Sequence, residues 1–155
     1  MSVEVGDKAP GFTLPADGGS KVSLKDFSGR PVVLYFYPKD DTSGCTAEAC
    51  AFRDALPDFS EVKAQVLGLS RDPVKSHDTF KAKYGLTFPL LSDEDGTVCA
   101  AYGTWVEKSM YGRKYMGIER ATFLIDGKGI VRRVWRKVKV PGHAEEVLKA
   151  AEALT

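Results

Sequence analysis

Two cysteines, Cys45 and Cys50, lie five residues apart in the segment YPKDDTSGCTAEAC, which follows the apolar run RPVVLYFY. This spacing differs from the C-x-x-C pair of dithiol redox proteins and from the closely spaced cysteines of zinc sites. The thiolate form of cysteine is the nucleophile. The position of each sulfur in the fold therefore decides what chemistry it can do.

Cys45 lies where a predicted strand, VVLYFY, gives way to a predicted helix, TAEACAFRDALPDF. Reactive groups in open α/β sheets collect beyond the carboxyl ends of the strands. A helix amino terminus offers unpaired N–H groups and partial positive charge, which favour an anion such as a thiolate. Thr42 and Ser43, just before Cys45, are residue types that cap helices. We therefore expect Cys45 to be the reactive cysteine.

Cys50 permits two interpretations. In an ideal helix, residues five apart have Cα atoms about 8.7 Å from each other, whereas a disulfide needs less than about 7 Å. Cys45 and Cys50 can therefore pair only if the first helical turns unwind, which the small residues of SGCTAEACA would allow. Alternatively, Cys50 is a small buried helix residue. The residues alone leave both open.

The remaining pattern predicts alternating strands and helices. Further strands are predicted at GFTLP, KVSL, AQVLGLS and FPLLSD, helices at DPVKSHDTFKAKYG, GTVCAAYG and GHAEEVLKAAEAL, and a hairpin at ATFLIDGKGIVRRVWRKV. Pro57 should kink the helix after Cys45 or end its first part near Leu56. Asp72 is the predicted N-cap of the next helix, which Pro73 begins and Gly85 ends.

This element order predicts an α/β fold, a three-layer sandwich with a central mixed β-sheet. It fits a thioredoxin-like core preceded by an extra N-terminal hairpin. The 155 residues are expected to form a single domain, 1–155. A net charge of +1 gives no reason to expect a nucleic acid or membrane partner. Because we find neither an apolar span nor a signal-peptide pattern, we expect a cytoplasmic protein with reduced cysteines.

The segment PKDDTSGC matches P-x-x-x-T-x-x-C, which resembles the active-site signature of peroxiredoxins. The second cysteine five residues later resembles the bacterioferritin comigratory protein (Q-type) branch, the atypical two-cysteine kind. The stretches VGDKAPGFTLP, LLSDEDGTVCAAYG and KSMYGRKYMGIERATFLID extend the resemblance over nearly the whole chain.

The resemblance implies a thioredoxin-like hydroperoxide reductase in which Cys45 attacks the O–O bond and becomes a sulfenic acid. By position, Thr42 would hydrogen-bond the thiolate and the peroxide, and Pro38 would shield the pocket. Arg120 resembles the arginine that stabilises the thiolate and polarises the peroxide. Glu48 matches the acidic residue that holds this arginine. Without the resemblance, Arg120 would be taken for an exposed arginine at a strand end.

Cys50 resembles the resolving cysteine of this branch, which forms an intramolecular disulfide that thioredoxin or a similar dithiol reductant then reduces. Peroxide reduction of this kind needs neither a metal nor an organic cofactor. Members of the branch are often monomers, and we expect the same here. Two other functions remain as alternatives: a protein disulfide oxidoreductase and a redox sensor that binds a partner when its helix opens.

Other polar residues are expected to be structural or solvated. Cys99 is predicted to be a buried, inert thiol, with a resolving role as the alternative, since some members of the branch that the chain resembles place the resolving cysteine elsewhere in the fold. His77 and His143 lack metal-like spacing and are predicted to be solvated helix residues. Asp40 and Asp41 are predicted to be solvated loop carboxylates, since negative charge beside a thiolate would oppose its activation.

An apolar rim for organic hydroperoxides is a further possibility, equally well explained by packing. Its candidate residues are Tyr37, Trp105, Tyr111 and Met116.

Overall fold

The computed structural model describes residues 3–154. Its strands are β1 (Thr13–Pro15), β2 (Lys21–Ser23), β3 (Val32–Phe36), β4 (Gln65–Ser70), β5 (Leu90–Ser92), β6 (Trp105–Met110), β7 (Arg113–Ile118), β8 (Ala121–Ile125) and β9 (Val131–Trp135). Its α-helices are α1 (Ser43–Glu61), α2 (Val74–Tyr84), α3 (Thr97–Ala101) and α4 (His143–Glu152). None of the helices in this part of the chain has the length and apolar character that crossing a membrane requires.

The central sheet has the strand order β5-β4-β3-β8-β9. Strands β3, β4 and β5 are parallel, and β8 runs antiparallel to β3 and to β9. Every residue of β3 and β8 is buried. The continuous apolar run VVLYF thus forms a strand covered on both faces. This mixed sheet confirms the predicted α/β, thioredoxin-like sandwich.

Two hydrophobic clusters cover the two faces of the sheet. Val33 and Tyr35 face a layer formed by α1, α2 and α4, in which Phe52 and Phe59 are fully buried. The side chains that alternate with them along β3 face α3 and the N-terminal segment. Strand β3 is thereby fixed from both sides, and so is the start of the loop that follows it.

The two predicted hairpins are confirmed. In the N-terminal hairpin, β1 pairs with β2 so that Thr13 lies opposite Ser23. In the second, β8 pairs with β9 across the turn at residues 126–130. A third hairpin, β6–β7, was not predicted. Its residues are mostly exposed or half-buried, so they lack the alternation of apolar and polar residues that reveals a strand.

The helix end expected as one of two effects of Pro57 is not observed, and the predicted N-cap of α2 is wrong. Helix α1 continues through Pro57 to Glu61, because Phe52 and Phe59 anchor it in the core on both sides of the proline. The N-cap of α2 is Pro73, not Asp72. The Asp72 carboxylate instead accepts hydrogen bonds from the Asp40 N–H and the Ser70 hydroxyl. Gly85 ends α2 in the left-handed conformation, as predicted.

Candidate active site

Cys45 is the third residue of α1 and lies just beyond the carboxyl end of β3. Its side chain is only 1% exposed. The loop of residues 37–42 joins the two elements, and Thr42 is the residue that precedes the helix. This is the predicted position, at a helix amino terminus where unpaired N–H groups favour an anion.

A guanidinium group lies against the Cys45 sulfur. Arg120, immediately before β8, donates from Nη2 to Cys45 Sγ at 3.4 Å and from Nη1 to Glu48 Oε1 at 2.6 Å. Cys45 and Glu48 are three residues apart on α1, so they share a helix face. The structure therefore brings together three residues that the sequence separates by up to 75 positions. A fixed positive charge at this distance favours the thiolate.

Gly44 makes room for this guanidinium. A Cβ atom at this position would lie 3.1 Å from Arg120 Nη2, closer than an ordinary contact. Sequence reasoning missed this residue. The available signal was a glycine inside the first helical turn, where glycine costs stability unless it has a packing role.

The Glu48–Arg120 pair is held in a desolvated environment. Burial raises the pKa of Glu48 to about 7, although the positive charge of Arg120 opposes this shift. Burial alone would lower the pKa of Arg120, but the negative charges of Glu48 and Cys45 outweigh it and raise that pKa. Glu48 Oε2 has no hydrogen-bond partner among residues 3–154. The site therefore stabilises the guanidinium cation of Arg120.

Thr42 and Pro38 flank the site from the preceding loop. The Thr42 hydroxyl donates to the Lys39 carbonyl at 2.9 Å and makes no side-chain cap of α1. Pro38 is half-buried and borders a surface hollow of about 420 Å³. Trp105 and Met116 also line this hollow.

A model of the AhpC/TSA family matches residues 5–134 of the chain. The chain belongs to this family. A peroxiredoxin Bcp homologue from Coxiella burnetii is 59% identical over 148 residues, which are 96% of this chain and 98% of that protein. Peroxiredoxin Bcp from Bacillus subtilis is 46% identical over 155 residues, covering 100% of this chain and 99% of the other.

Solved structures of this branch superpose closely on the chain. The bacterioferritin comigratory protein of Xanthomonas campestris, studied for alkyl peroxide reduction, has a TM-score of 0.90 at 47% identity, covering 97% and 96% of the two chains. A mutant of Xylella fastidiosa PrxQ has a TM-score of 0.94 at 46% identity, covering 99% and 98%. The chain is thus a peroxiredoxin of the Bcp or Q branch, a thiol-dependent peroxidase that uses a hydroperoxide and a thiol reductant.

The other two cysteines of this peroxiredoxin, Cys50 and Cys99, differ in how deeply they are buried. Cys50 is half-buried on α1, and in this structure Cys45, Cys50 and Cys99 are all free thiols. Cys99 is fully buried in α3, where burial and then the neighbouring Asp93 raise the pKa of its thiol. The predicted burial of Cys99 is confirmed, and its inert role stays a prediction.

Three predictions about solvated residues are wrong. His77 and His143 are buried, and so is Asp40, because each has a polar partner from another element. His77 and Asp40 bond to each other, and His143 bonds to Thr122. A signal for His77 was available, since it precedes Phe80 by three residues and lies on the buried stripe of α2. Asp41 is exposed, as predicted.

The proposed apolar rim is only partly assembled. Tyr37 lies in the core with 1% exposure, and Tyr111 is 97% exposed at the tip of the β6–β7 hairpin. Trp105 and Met116 do line the hollow beside Pro38. The four residues therefore do not form one surface.

Proposed function

We propose that this peroxiredoxin reduces hydroperoxides with Cys45 as the peroxidatic cysteine and Cys50 as the resolving cysteine. The observation that carries the assignment of Cys45 is the contact of the Arg120 guanidinium with its sulfur at 3.4 Å, held by Glu48. The partly buried Arg120 cation contacts Cys45 and neither of the other two sulfurs in a described hydrogen bond, which supports Cys45 as the sulfur that acts as an anion.

In the first step, the Cys45 thiolate attacks one oxygen of the hydroperoxide. An S–O bond forms as the O–O bond breaks, and the leaving oxygen departs with the electron pair and takes a proton to become water or an alcohol. The N–H groups of Arg120 stabilise the charge that develops on this oxygen. The Thr42 hydroxyl, whose hydrogen is directed to Lys39, accepts the hydroperoxide O–H with its free lone pair.

In the second step, the Cys50 sulfur attacks the sulfenic acid on Cys45, forming the disulfide and releasing water. The geometry of an intact helix keeps their Cα atoms about 8.7 Å apart, so the first turns of α1 must unwind. Thioredoxin or a similar dithiol protein then reduces the disulfide and is itself oxidised. We propose that the chain acts as a monomer in the cytoplasm, where such reductants keep thiols reduced.

The test is peptide mapping by mass spectrometry after one equivalent of hydrogen peroxide. We expect a Cys45–Cys50 disulfide in the wild type, trapped sulfenic acid on Cys45 in Cys50→Ser, and loss of peroxidase activity in Cys45→Ser. Cys99→Ser is the matched control and should behave as the wild type. A Cys45–Cys99 disulfide would move the resolving role to Cys99, and an unreacted Cys45 would refute the whole assignment.

A further inference from the structure

The carboxylate of Asp40 is buried under the loop that precedes Cys45. Its Oδ1 accepts a hydrogen bond from the Tyr37 hydroxyl at 2.6 Å. Its Oδ2 accepts from the Ser76 hydroxyl at 2.8 Å and lies 2.7 Å from His77 Nδ1. The loop is therefore tied through one side chain to the first turn of α2, an element that does not take part in the peroxide chemistry.

The imidazole of His77 lies between two acceptors. Nδ1 faces the Asp40 carboxylate, and Nε2 lies 2.8 Å from the carbonyl oxygen of Leu91. A neutral imidazole has only one N–H, so its other nitrogen would be an acceptor that faces a second acceptor. An imidazolium has two N–H groups and donates to both Asp40 and Leu91. His77 is 0% exposed, so such a mismatch would have no water to relieve it.

The charges around His77 also favour the protonated ring, the imidazolium. Burial alone would lower the pKa of His77, but the hydrogen bond and charge of Asp40 outweigh it, with help from Leu91 and Asp72, and raise that pKa. The charged groups that face His77 are Asp40, from the loop, and Asp72, from the segment before α2. Strand β5 presents the Leu91 carbonyl, and the first residue of the loop, Tyr37, presents its ring.

These side chains are already engaged with one another. Ligand atoms of Asp40, Asp72 and His77 lie within 4.8 Å of one another, a spacing that could hold a metal ion. However, both nitrogens of His77 are used by acceptors, and Asp72 Oδ2 accepts from the Ser70 hydroxyl and the Asp40 N–H. We therefore interpret Asp40 and His77 as an ion pair supported by hydrogen bonds from its neighbours, and not as a metal site.

The next residue, Asp41, makes a second but exposed tether. It has a left-handed backbone conformation, with φ of 59°. Its carboxylate accepts hydrogen bonds from Lys83 at 2.8 Å and the Tyr84 hydroxyl at 2.6 Å, near the end of α2. Exposed ion pairs contribute little to stability. Lys83 therefore offers a matched control for the buried tether.

We propose that His77 is a positioning residue for the peroxide reaction: as an imidazolium bonded to Asp40 and Leu91, it fixes the loop that carries Pro38 and Thr42. The inference rests on the proposed roles of Cys45 and Cys50. When the first turns of α1 unwind for disulfide formation, the tether at Asp40 keeps the opening from spreading back toward β3. The loop then returns to the geometry that peroxide attack requires.

The test compares His77→Gln with Lys83→Gln by rapid quenching, thiol labelling and mass spectrometry, which separate oxidation of Cys45 from the later formation of the disulfide. We expect His77→Gln to slow oxidation about tenfold, because a small misplacement of positioning groups is costly, without slowing disulfide formation. Lys83→Gln should change oxidation less than twofold. Oxidation within twofold of the wild type in His77→Gln, or equal slowing in both variants, would overturn the proposal.

A spectroscopic measurement distinguishes positioning from a purely structural role. In ¹⁵N-labelled wild type at pH 7, both ring nitrogens of His77 should carry protons, and Asp40→Asn should convert the ring to the neutral form and slow oxidation. Asp40→Asn also replaces His77→Gln if that variant does not fold. A neutral His77 ring in the wild type would overturn the proposal. Failure of the wild type itself to oxidise Cys45 would instead refute the proposed function.

Discussion

At Cys45, a whole positive charge adds to the partial charge that a helix amino terminus supplies. The helix contributes about half a unit charge, and the Arg120 guanidinium stands 3.4 Å from the sulfur. For thiols in general, a lower pKa increases the thiolate fraction but reduces the nucleophilicity of each thiolate, so the net gain is only a few-fold. The role proposed for Arg120 therefore depends mainly on orienting the peroxide and stabilising the leaving oxygen.

Gly44→Ala tests how sensitive the reaction is to the position of this guanidinium. The new Cβ would lie 3.1 Å from Nη2, so Arg120 must shift by a few tenths of an ångström. Alanine stabilises a helix by up to about 1 kcal/mol relative to glycine. We expect the second-order rate of Cys45 oxidation to fall about three- to tenfold while thermal stability is maintained or increased.

The matched control is Ser43→Ala, an exposed position at the start of the same helix. It should leave the oxidation rate within twofold of the wild type. An unchanged rate in Gly44→Ala would mean that the exact position of the guanidinium is unimportant, and Arg120 would then act only through its charge.

At the scale of single residues, the predictions succeeded where they depended only on neighbouring residues in the sequence. The strand, the turn and the helix start around Cys45 could all be derived from neighbouring residues. The burial of Asp40 could not, because its partner His77 lies 37 residues away and only the folded chain joins them. The Arg120–Glu48 pair, 72 residues apart, was expected only from the family resemblance.

At the scale of elements, α1 has two unlike halves. The first half, SGCTAEAC, has small side chains apart from Glu48, whereas Phe52 and Phe59 anchor the second half in the core. Such a division allows local opening at one end while the rest of the helix remains folded. Pro57 was expected to kink this helix or to end its first part near Leu56. The helix does not end there, because Pro57 lies within the anchored half, where tertiary packing outweighs local preference.

Pro57→Ala should therefore increase the free energy of unfolding. Proline lacks the N–H that would bond to the carbonyl of Arg53, four residues earlier, and its ring crowds that carbonyl. The gain is partly offset because proline also restricts the unfolded chain. We expect an increase of about 1–2 kcal/mol, measured by urea denaturation of the reduced protein.

Asp58→Ala, at the next exposed position of the same helix, provides the comparison for a general gain in helix propensity. It should change stability by less than about 0.5 kcal/mol. A loss of stability in Pro57→Ala would show that the proline conformation benefits this helix. The rate of Cys45 oxidation should be unaffected in both variants, because the change lies in the anchored half.

The hairpin β6–β7 shows the limit of pattern analysis at this scale. Its turn at Tyr111 and Gly112 has positive φ at both residues, 52° and 77°. The dipeptide has the form of a hairpin turn, but the flanking strands expose polar and apolar side chains on both faces. Hydrophobic periodicity therefore contains no signal for these strands.

At the scale of the whole molecule, two buried groups on different helices have pKa values that the fold shifts in opposite directions. Burial raises the pKa of Glu48 from 4.5 to about 7, although Arg120 opposes it. The folded protein therefore holds more protons than the unfolded chain between these values, and stability falls as the pH rises. Burial, aided by Arg120 and opposed by Glu146, lowers the pKa of His143 from 6.5 to about 4, so stability rises with pH in that range.

Between pH 5 and 6.5, each effect amounts to about 1.5 kcal/mol, and the two nearly cancel. His77, whose pKa the fold raises above 6.5, adds a smaller decrease toward the upper end of this interval. We therefore expect the unfolding free energy of the reduced wild type, measured in urea, to change by less than about 1 kcal/mol over the interval. His143→Gln removes the rising contribution, so its stability should decrease with pH by about 1.5 kcal/mol. Glu48→Gln should show the opposite slope. Parallel slopes in the two variants would mean that these groups do not control the pH dependence, since only groups with opposite shifts can produce slopes of opposite sign.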